Sequence, residues 1–411
     1  MARNGSTAER PPASDGWGSL RPGRANQGTS LSRMPFASEL LEEAQAVRAR
    51  PRGTAADRTA LVSYLVEPVL PRRLPHRFRG HSNRWECREL VAELCRIGYE
   101  VDVIDFDRPE KLPRDHYDLV LALDSELLEI AARTSPDILL SHLTGASPRY
   151  NNEAELERLD QLELRRGVRL PPHRLAADPE LTLDAYGAAD HCSLIGNSWT
   201  RSTYPADIAA KAHDIPVTGS VAYIKQSAHL VPDEREFVWF FGAGAVHKGL
   251  DLVLEAFSGL PEARLHVIGN IQGETEFMTE YRKELFETPN IRFHGMLDPA
   301  GKEFRRIADR SVAFVAPTCS EGTSTACVTM LQVGLLPVLT VQAGVDLDEG
   351  VGIMLTKASA DEIRESVIAV NRATQEALRM EIATTQALAL DRHSRASFSR
   401  SIGSYLRRVT G

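Results

Sequence analysis

Between residues 237 and 340 the chain alternates short apolar runs with segments of helical period, a pattern that few folds accommodate. The runs are FVWFFG, ARLHVIGN, IRFHGM, VAFVAP and LLPVLT. Between them lie segments predicted as helices, at about Gly249 to Ser258, Glu274 to Phe286, Lys302 to Ala308 and Thr325 to Val333. Runs this short, apolar at nearly every position, suit strands buried on both faces of a parallel sheet. Such strands need helical crossovers, so the expected fold class is α/β with doubly wound, Rossmann-like domains. The earlier half repeats the pattern less regularly. LVSYLV (Leu61 to Val66) opens it, a helix follows from about Asn83 to Ile97, and Gly98 ends that helix. VDVIDF, DLVLAL, DILLSH and HCSLIG then read as strands.

With 411 residues, 43% of them hydrophobic, the chain can divide into two domains. Residues 1–56 are expected to be a mostly disordered arm, since Gly, Pro, Ser, Ala and Arg dominate the first 37 and only Ser38 to Arg48 shows a short helical pattern. Residues 57–215 would form the first Rossmann-like domain. The aperiodic stretch beginning HDIPVTGS separates it from a second, residues 216–385. An amphipathic stretch from about Thr374 to Val409 would supply a last helix, residues 386–411, packing back on the first domain.

Composition narrows the partners. A formal charge of −8 is the wrong sign for a chain that tracks a phosphate backbone, so nucleic acid is not expected. No apolar run approaches the roughly 20 residues that span a bilayer, and the first residues lack the apolar stretch of a secretory signal. A cytoplasmic location is expected. Cys87, Cys95, Cys192, Cys319 and Cys327 are odd in number and form no CxxC, which argues for reduced core thiols rather than disulfides or a zinc site.

Two segments carry the chemistry. In FFGAGAVHKGLDLVLEAF a strand meets a Gly-rich turn and then a helix with Leu250, Val253, Leu254 and Phe257 on one face. Gly242 and Gly244 begin a dinucleotide fingerprint, but His247 stands where its third glycine belongs. Gly244 and Gly249 are spaced as in a P-loop, yet Leu250 follows where the lysine must be. What remains is Lys248 at the mouth of a helix whose amides would favour an anion such as a pyrophosphate, unless it is a plain surface lysine. In VAPTCSEGTSTACVTMLQVG a strand ends at Pro317 and a helix begins near Thr325. The amides of residues 323 to 325, with the Ser324 and Thr325 hydroxyls, read as a second anion site, and Glu321 as an acceptor for sugar hydroxyls. An ordinary N-capping loop would have the same composition.

Taken in order, HKGLDLVLEAF, RLHVIG, IRFHG and VAPTCSEGTS…MLQVGLLPVL resemble the C-terminal half of the GT-B glycosyltransferases, in particular the retaining, glycogen-synthase-like "group 1" enzymes. The resemblance is strong over residues 238–410 and mainly architectural over 57–215. It implies two Rossmann-like domains facing across a cleft, and transfer of a sugar from a nucleotide-diphosphate donor. It also implies that Lys248 contacts the donor diphosphate, with Gly242, Gly244 and Gly249 beside it. Glu321 and Gly322 would cradle the sugar, with Thr323, Ser324 and Thr325. His294, Gly295 and Met296 would hold the nucleobase. The family's arginine ahead of the lysine is Ala243 here, and the second carboxylate of its Glu-x7-Glu pattern is Thr329.

The acceptor side is expected on the first domain. His142 closes DILLSH at the carboxyl end of a strand, where open α/β sheets bind ligands, and is expected to touch donor sugar or acceptor. His81, Asn83 and Glu86 open the first helix after a loop carrying Arg72, Arg73, Arg77 and Arg79, which could meet an anionic acceptor or lipid head groups if it is not simply solvated. No paired metal-binding carboxylates are evident, so no metal or other cofactor is expected and Lys248 with the helix termini would replace a divalent ion. Epimerisation or hydrolysis of a nucleotide sugar, or its binding without turnover, are the alternatives on the same fold.

Overall fold

A computed structural model describes residues 35–42, 45–53, 55–71, 82–108, 112–220 and 222–411. Their strands form two sheets. The first has eight strands: β1 (Phe36–Leu41), β2 (Ala46–Pro51), β3 (Arg58–Tyr64), β4 (Tyr99–Asp105), β5 (Leu119–Ala122), β6 (Ile138–Leu143), β7 (His191–Ile195) and β8 (Ala212–Ile215), in the order β1-β2-β4-β3-β5-β6-β7-β8. From β4 to β8 every pairing is parallel. Helices α1 (Ser82–Arg96), α2 (Glu126–Thr134), α3 (Pro148–Arg166), α4 (Pro179–Ala188), α5 (Ser198–Ser202) and α6 (Ala206–Lys211) belong to this lobe.

The sequence-based helix at Ser38 to Arg48 is instead the β1–β2 hairpin, antiparallel within itself and against β4. Its register is fixed by charge. Arg48 forks onto the buried Asp102 carboxylate of β4 at 2.6 and 2.9 Å, and Arg114 and the Tyr117 hydroxyl add bonds of 3.0 and 2.9 Å to the same group. Three partners satisfy a carboxylate that would otherwise be costly to bury. None of them is local, so short-range periodicity could not favour strand over helix there.

The second sheet has six parallel strands: β9 (Glu236–Phe241), β10 (Leu265–Gly269), β11 (Ile291–Gly295), β12 (Ser311–Ala316), β13 (Leu336–Thr340) and β14 (Ile353–Leu355), ordered β11-β10-β9-β12-β13-β14. The order reverses between β9 and β12, and that switch point is where such sheets open a ligand crevice at their carboxyl ends. Helices α7 (Leu250–Ser258), α8 (Thr275–Glu280), α9 (Arg282–Phe286), α10 (Lys302–Arg310), α11 (Thr325–Val333) and α12 (Ala360–Arg372) surround it. The single helix expected from Glu274 to Phe286 is thus two short ones, broken at Tyr281. The terminal amphipathic stretch is also two helices, α13 (Gln375–Arg392), against α11, and α14 (Arg395–Val409), against α1 and β8. Thr374 and Ser394 cap them, each side chain accepting an amide of the first turn.

All five cysteines are free and buried, and burial pushes the thiols of Cys87, Cys95, Cys319 and Cys327 up to about 12. Among the described residues no helix is long and apolar enough to cross a membrane.

Candidate active site

The strand ends flanking the switch point carry the two sequence motifs. After β9 the chain turns through Gly242 to Gly249 and enters α7. Gly249 has φ +68°, and a β-carbon there would lie 2.5 Å from the Pro317 carbonyl oxygen, so both conformation and space require glycine. The close approach sets the turn directly against the loop that follows β12. As a result Lys248 Nζ reaches Glu321 Oε1, an ion pair between the two residues singled out from sequence. Lys248 is only 6% exposed, and its ammonium lies 5.8 Å from the centre of the Phe241 ring.

Several expected ligand-binding groups already have internal partners. The Gly244 and Ala245 amides donate to the two oxygens of the buried Glu274 carboxylate, at 2.6 and 2.8 Å. The amides of residues 323 and 324, expected to be unpaired, are engaged: Thr323 donates to Ile195 O at 3.2 Å and Ser324 to Ala343 O at 2.9 Å. The Ser324 hydroxyl caps α11, accepting from the Cys327 amide. Thr329 is fully buried, donating to Thr325 O and accepting from Ser220 N. Its hydroxyl therefore serves the packing of α11 here. Gly295 has φ +69° and lies against the Gln272 side chain, while Met296 is exposed. His294 bonds His266 at 2.9 Å, and His266 in turn meets Glu236 at 2.7 Å. Burial, the neighbouring His266 and Arg292 push His294 down to about 4, which keeps it neutral.

The first lobe meets this site at its own strand ends. Gly322 sits against the carbonyl oxygens of Ile195 and Thr144, which end β7 and follow β6, and Thr200 Oγ1 donates to Gly322 O at 3.4 Å. His142 lies just beneath, almost fully buried on β6, its Nδ1 2.8 Å from Ser193 Oγ and its ring 5.8 Å from Tyr64. Burial alone lowers it to about 4, so it is a neutral imidazole at pH 7. Among the described residues no hydrogen bond or ion pair links it to Lys248 or Glu321.

The amino end of α1 points at the same place, since Ser82 Oγ is 3.2 Å from Thr325 Oγ1 and two helix N-termini therefore converge. Asn83 Oδ1 there is buried without a hydrogen-bond partner among the described residues. His81 and the four loop arginines, Arg72, Arg73, Arg77 and Arg79, lie outside the described residues. Glu86 faces inward, accepting from Thr218 N at 2.7 Å and Thr218 Oγ1 at 2.8 Å. Burial raises it to about 7 despite those donors. A carboxyl raised in the folded state binds its proton more tightly there than in the unfolded chain. Its contribution is complete below about 4.5 and disappears as pH rises through 7. Glu86→Gln is expected to flatten the stability profile between pH 4.5 and 7 by about 3 kcal/mol, measured by urea denaturation across that window. A parallel profile in the two proteins would refute the assignment.

Sequence reasoning missed helix α3 and what it carries. From the first lobe it reaches the second, where Arg165 pairs with Asp251 (2.6 Å) and Glu255 (3.0 Å), and Arg166 with Glu280 and Glu284 (2.9 Å each). Glu155 lies 3.5 Å from His247 Nδ1, while His247 Nε2 donates to Ser320 O at 2.8 Å. Burial and Lys248 depress His247. Glu155, although raised by its own burial, is held below the usual carboxylate range by His247 and by two backbone donors. Glu274 and Glu155 stand in no local motif: Glu274 opens a segment predicted as helical, while Glu155 lies in the helix that sequence reasoning missed.

Two Rossmann-like lobes, meeting through strand-end loops with Lys248 and Glu321 at the switch point of the second, define the GT-B architecture. Residues 235–372 match the family described as glycosyl transferases group 1. No curated protein matches the chain by sequence. Among solved structures it is similar to HepE from Anabaena in complex with UDP and glucose, at TM-score 0.57 and 13% identity over 85% of this chain and 99% of that one. It is also similar to sucrose-phosphate synthase from Thermosynechococcus elongatus, at 0.59 and 14% over 86% and 98%. A trehalose-6-phosphate structure from E. coli bound with UDP-2-fluoro glucose gives 0.56 and 9% over 86% and 99%.

Proposed function

We propose that this protein is a glycosyltransferase that moves a sugar from a nucleotide-diphosphate donor to an acceptor, with retention and without a metal ion. The observation that carries this reading is the Lys248–Glu321 pair at the carboxyl-end switch point, inside the segment that matches the glycosyltransferase family. Breaking the glycosidic bond to a nucleoside diphosphate concentrates negative charge on the leaving group. A preorganised ammonium and helix N-termini stabilise that charge in the transition state, which is the work a divalent cation would otherwise do. In this reading Glu321, paired with the ammonium, accepts hydroxyls of the transferred sugar. Retention follows the family resemblance.

The reading is tested by incubating the protein with UDP-, GDP- and ADP-sugars and candidate acceptor glycosides in the presence of EDTA, then measuring nucleoside diphosphate and product. Acceptor-dependent release from one donor is expected, and no release with any donor would refute transfer. Release without acceptor would favour the alternative of hydrolysis or epimerisation, to which the internal bonding of Thr329 lends some support.

A further inference from the structure

We propose that Arg174, from the first lobe, is a binding residue for the donor's diphosphate on the second lobe's Gly-rich turn. This rests on the donor-site reading above and adds a residue from the opposite lobe. A nucleoside diphosphate brings at least two negative charges. The turn offers one cation, Lys248, already neutralised by Glu321, and the Gly244 and Ala245 amides already hold the Glu274 carboxylate. Arg158 of α3 acts on Cys319 and Asp251 nearby, but its Nη1 is buried, so the turn itself presents no exposed uncompensated cation to a diphosphate.

Arg174 supplies one by position. Its aliphatic stem lies directly on Gly244, where a β-carbon would come 2.7 Å from Arg174 Cγ and 3.1 Å from Cδ. Its guanidinium is exposed and makes no hydrogen bond or ion pair among the described residues. Its backbone, by contrast, is unusually well fixed for a residue between helices. The Glu155 carboxylate accepts the His173 amide at 2.7 Å and the Arg174 amide at 3.0 Å. Asn151 Nδ2 donates to Arg174 O at 2.7 Å, and Asn152 forms a reciprocal pair with the Ala176 backbone at 2.9 and 2.7 Å. The same Glu155 reaches His247 of the turn. An irregular segment is thus locked in register with the turn while its cation stays free, the arrangement expected of a preorganised anion-binding group.

The test is calorimetric titration of the full chain with UDP, GDP and ADP, and with uridine, guanosine and adenosine. Arg174→Ala is expected to weaken the preferred diphosphate at least tenfold, leave its nucleoside unchanged and shallow the salt dependence of binding. Arg174→Lys should recover part of the loss. Lys248→Ala serves as the control for the site itself. Weakening by Lys248→Ala with Arg174→Ala binding like the parent protein would overturn the role of Arg174 and leave the donor site standing. Absence of binding by the parent protein to all three diphosphates would overturn both. An equal loss of nucleoside affinity in Arg174→Ala would assign the residue to shaping the site and would also overturn the proposal.

Discussion

Replacing Lys248 with alanine is expected to lower sugar transfer tenfold to a hundredfold with little change in the folded structure. The ammonium is the only side-chain cation bonded to Glu321 among the described residues, and it stands at the helix mouth where the leaving diphosphate would develop charge. A hydrogen bond to a charged partner is worth about 1.5–3 kcal/mol, and each 1.4 kcal/mol is a factor of ten in rate. Lys248→Arg keeps the charge but not the compact point geometry, so partial activity is expected. The measurement is kcat/KM for the donor identified by the screen, alongside a thermal melt. Undiminished turnover in Lys248→Ala would remove this ammonium from the chemistry.

The second large effect is structural. A β-carbon on Gly322 would stand 2.9 Å from the Thr144 carbonyl oxygen and well inside contact with that of Ile195. Both obstacles are backbone at the ends of parallel strands and cannot rotate aside, so Gly322→Ala must push the lobes apart and break the Thr323 to Ile195 bond. Overpacking of this kind costs about 3 kcal/mol. Urea denaturation should show that loss, and small-angle scattering a larger radius of gyration. Gly187 in α4 is the contrasting control, because nothing lies within 4 Å of the position a β-carbon would take. Gly187→Ala should be neutral or slightly stabilising. Equal behaviour of the two variants would show that the lobes do not meet at Gly322 in solution.

The second lobe was readable because β9, β10, β12 and β13 are buried along their whole length, so they appear as largely apolar runs, and because α7 and α11 begin at glycine or hydroxyl punctuation. In the first lobe the β1–β2 hairpin and helix α3 were hidden for opposite reasons. The β1–β2 hairpin is held by Arg48 on Asp102, 54 residues away in sequence. Helix α3 buries only Pro148, Glu155, Leu159 and Leu162, and spends Arg165 and Arg166 on carboxylates of the other lobe, so it reads as a solvated connection. The site was legible in the same uneven way. Lys248 and Glu321 lie in local motifs, and the structure brings them together. Glu274, Glu155 and Arg174 converge on the turn only through tertiary folding, and no pattern marks them. The engaged amides of residues 323 and 324 could not be foreseen either, since their acceptors come from β7 and from the segment after β13.

The return of α14 to the first lobe bears on how the chain is assembled during synthesis. Phe398 meets Trp85 edge to face, Arg395 lies over the same indole, and Tyr405 stacks on His213, so the flank of α1 and β8 is closed by residues made after both lobes. The earlier lobe must therefore leave the ribosome with an apolar side uncovered and wait while the whole of the later lobe is translated. For that interval its exposed flank is a target for chaperones and for misassociation, and the arrival of α14 is the event that seals it.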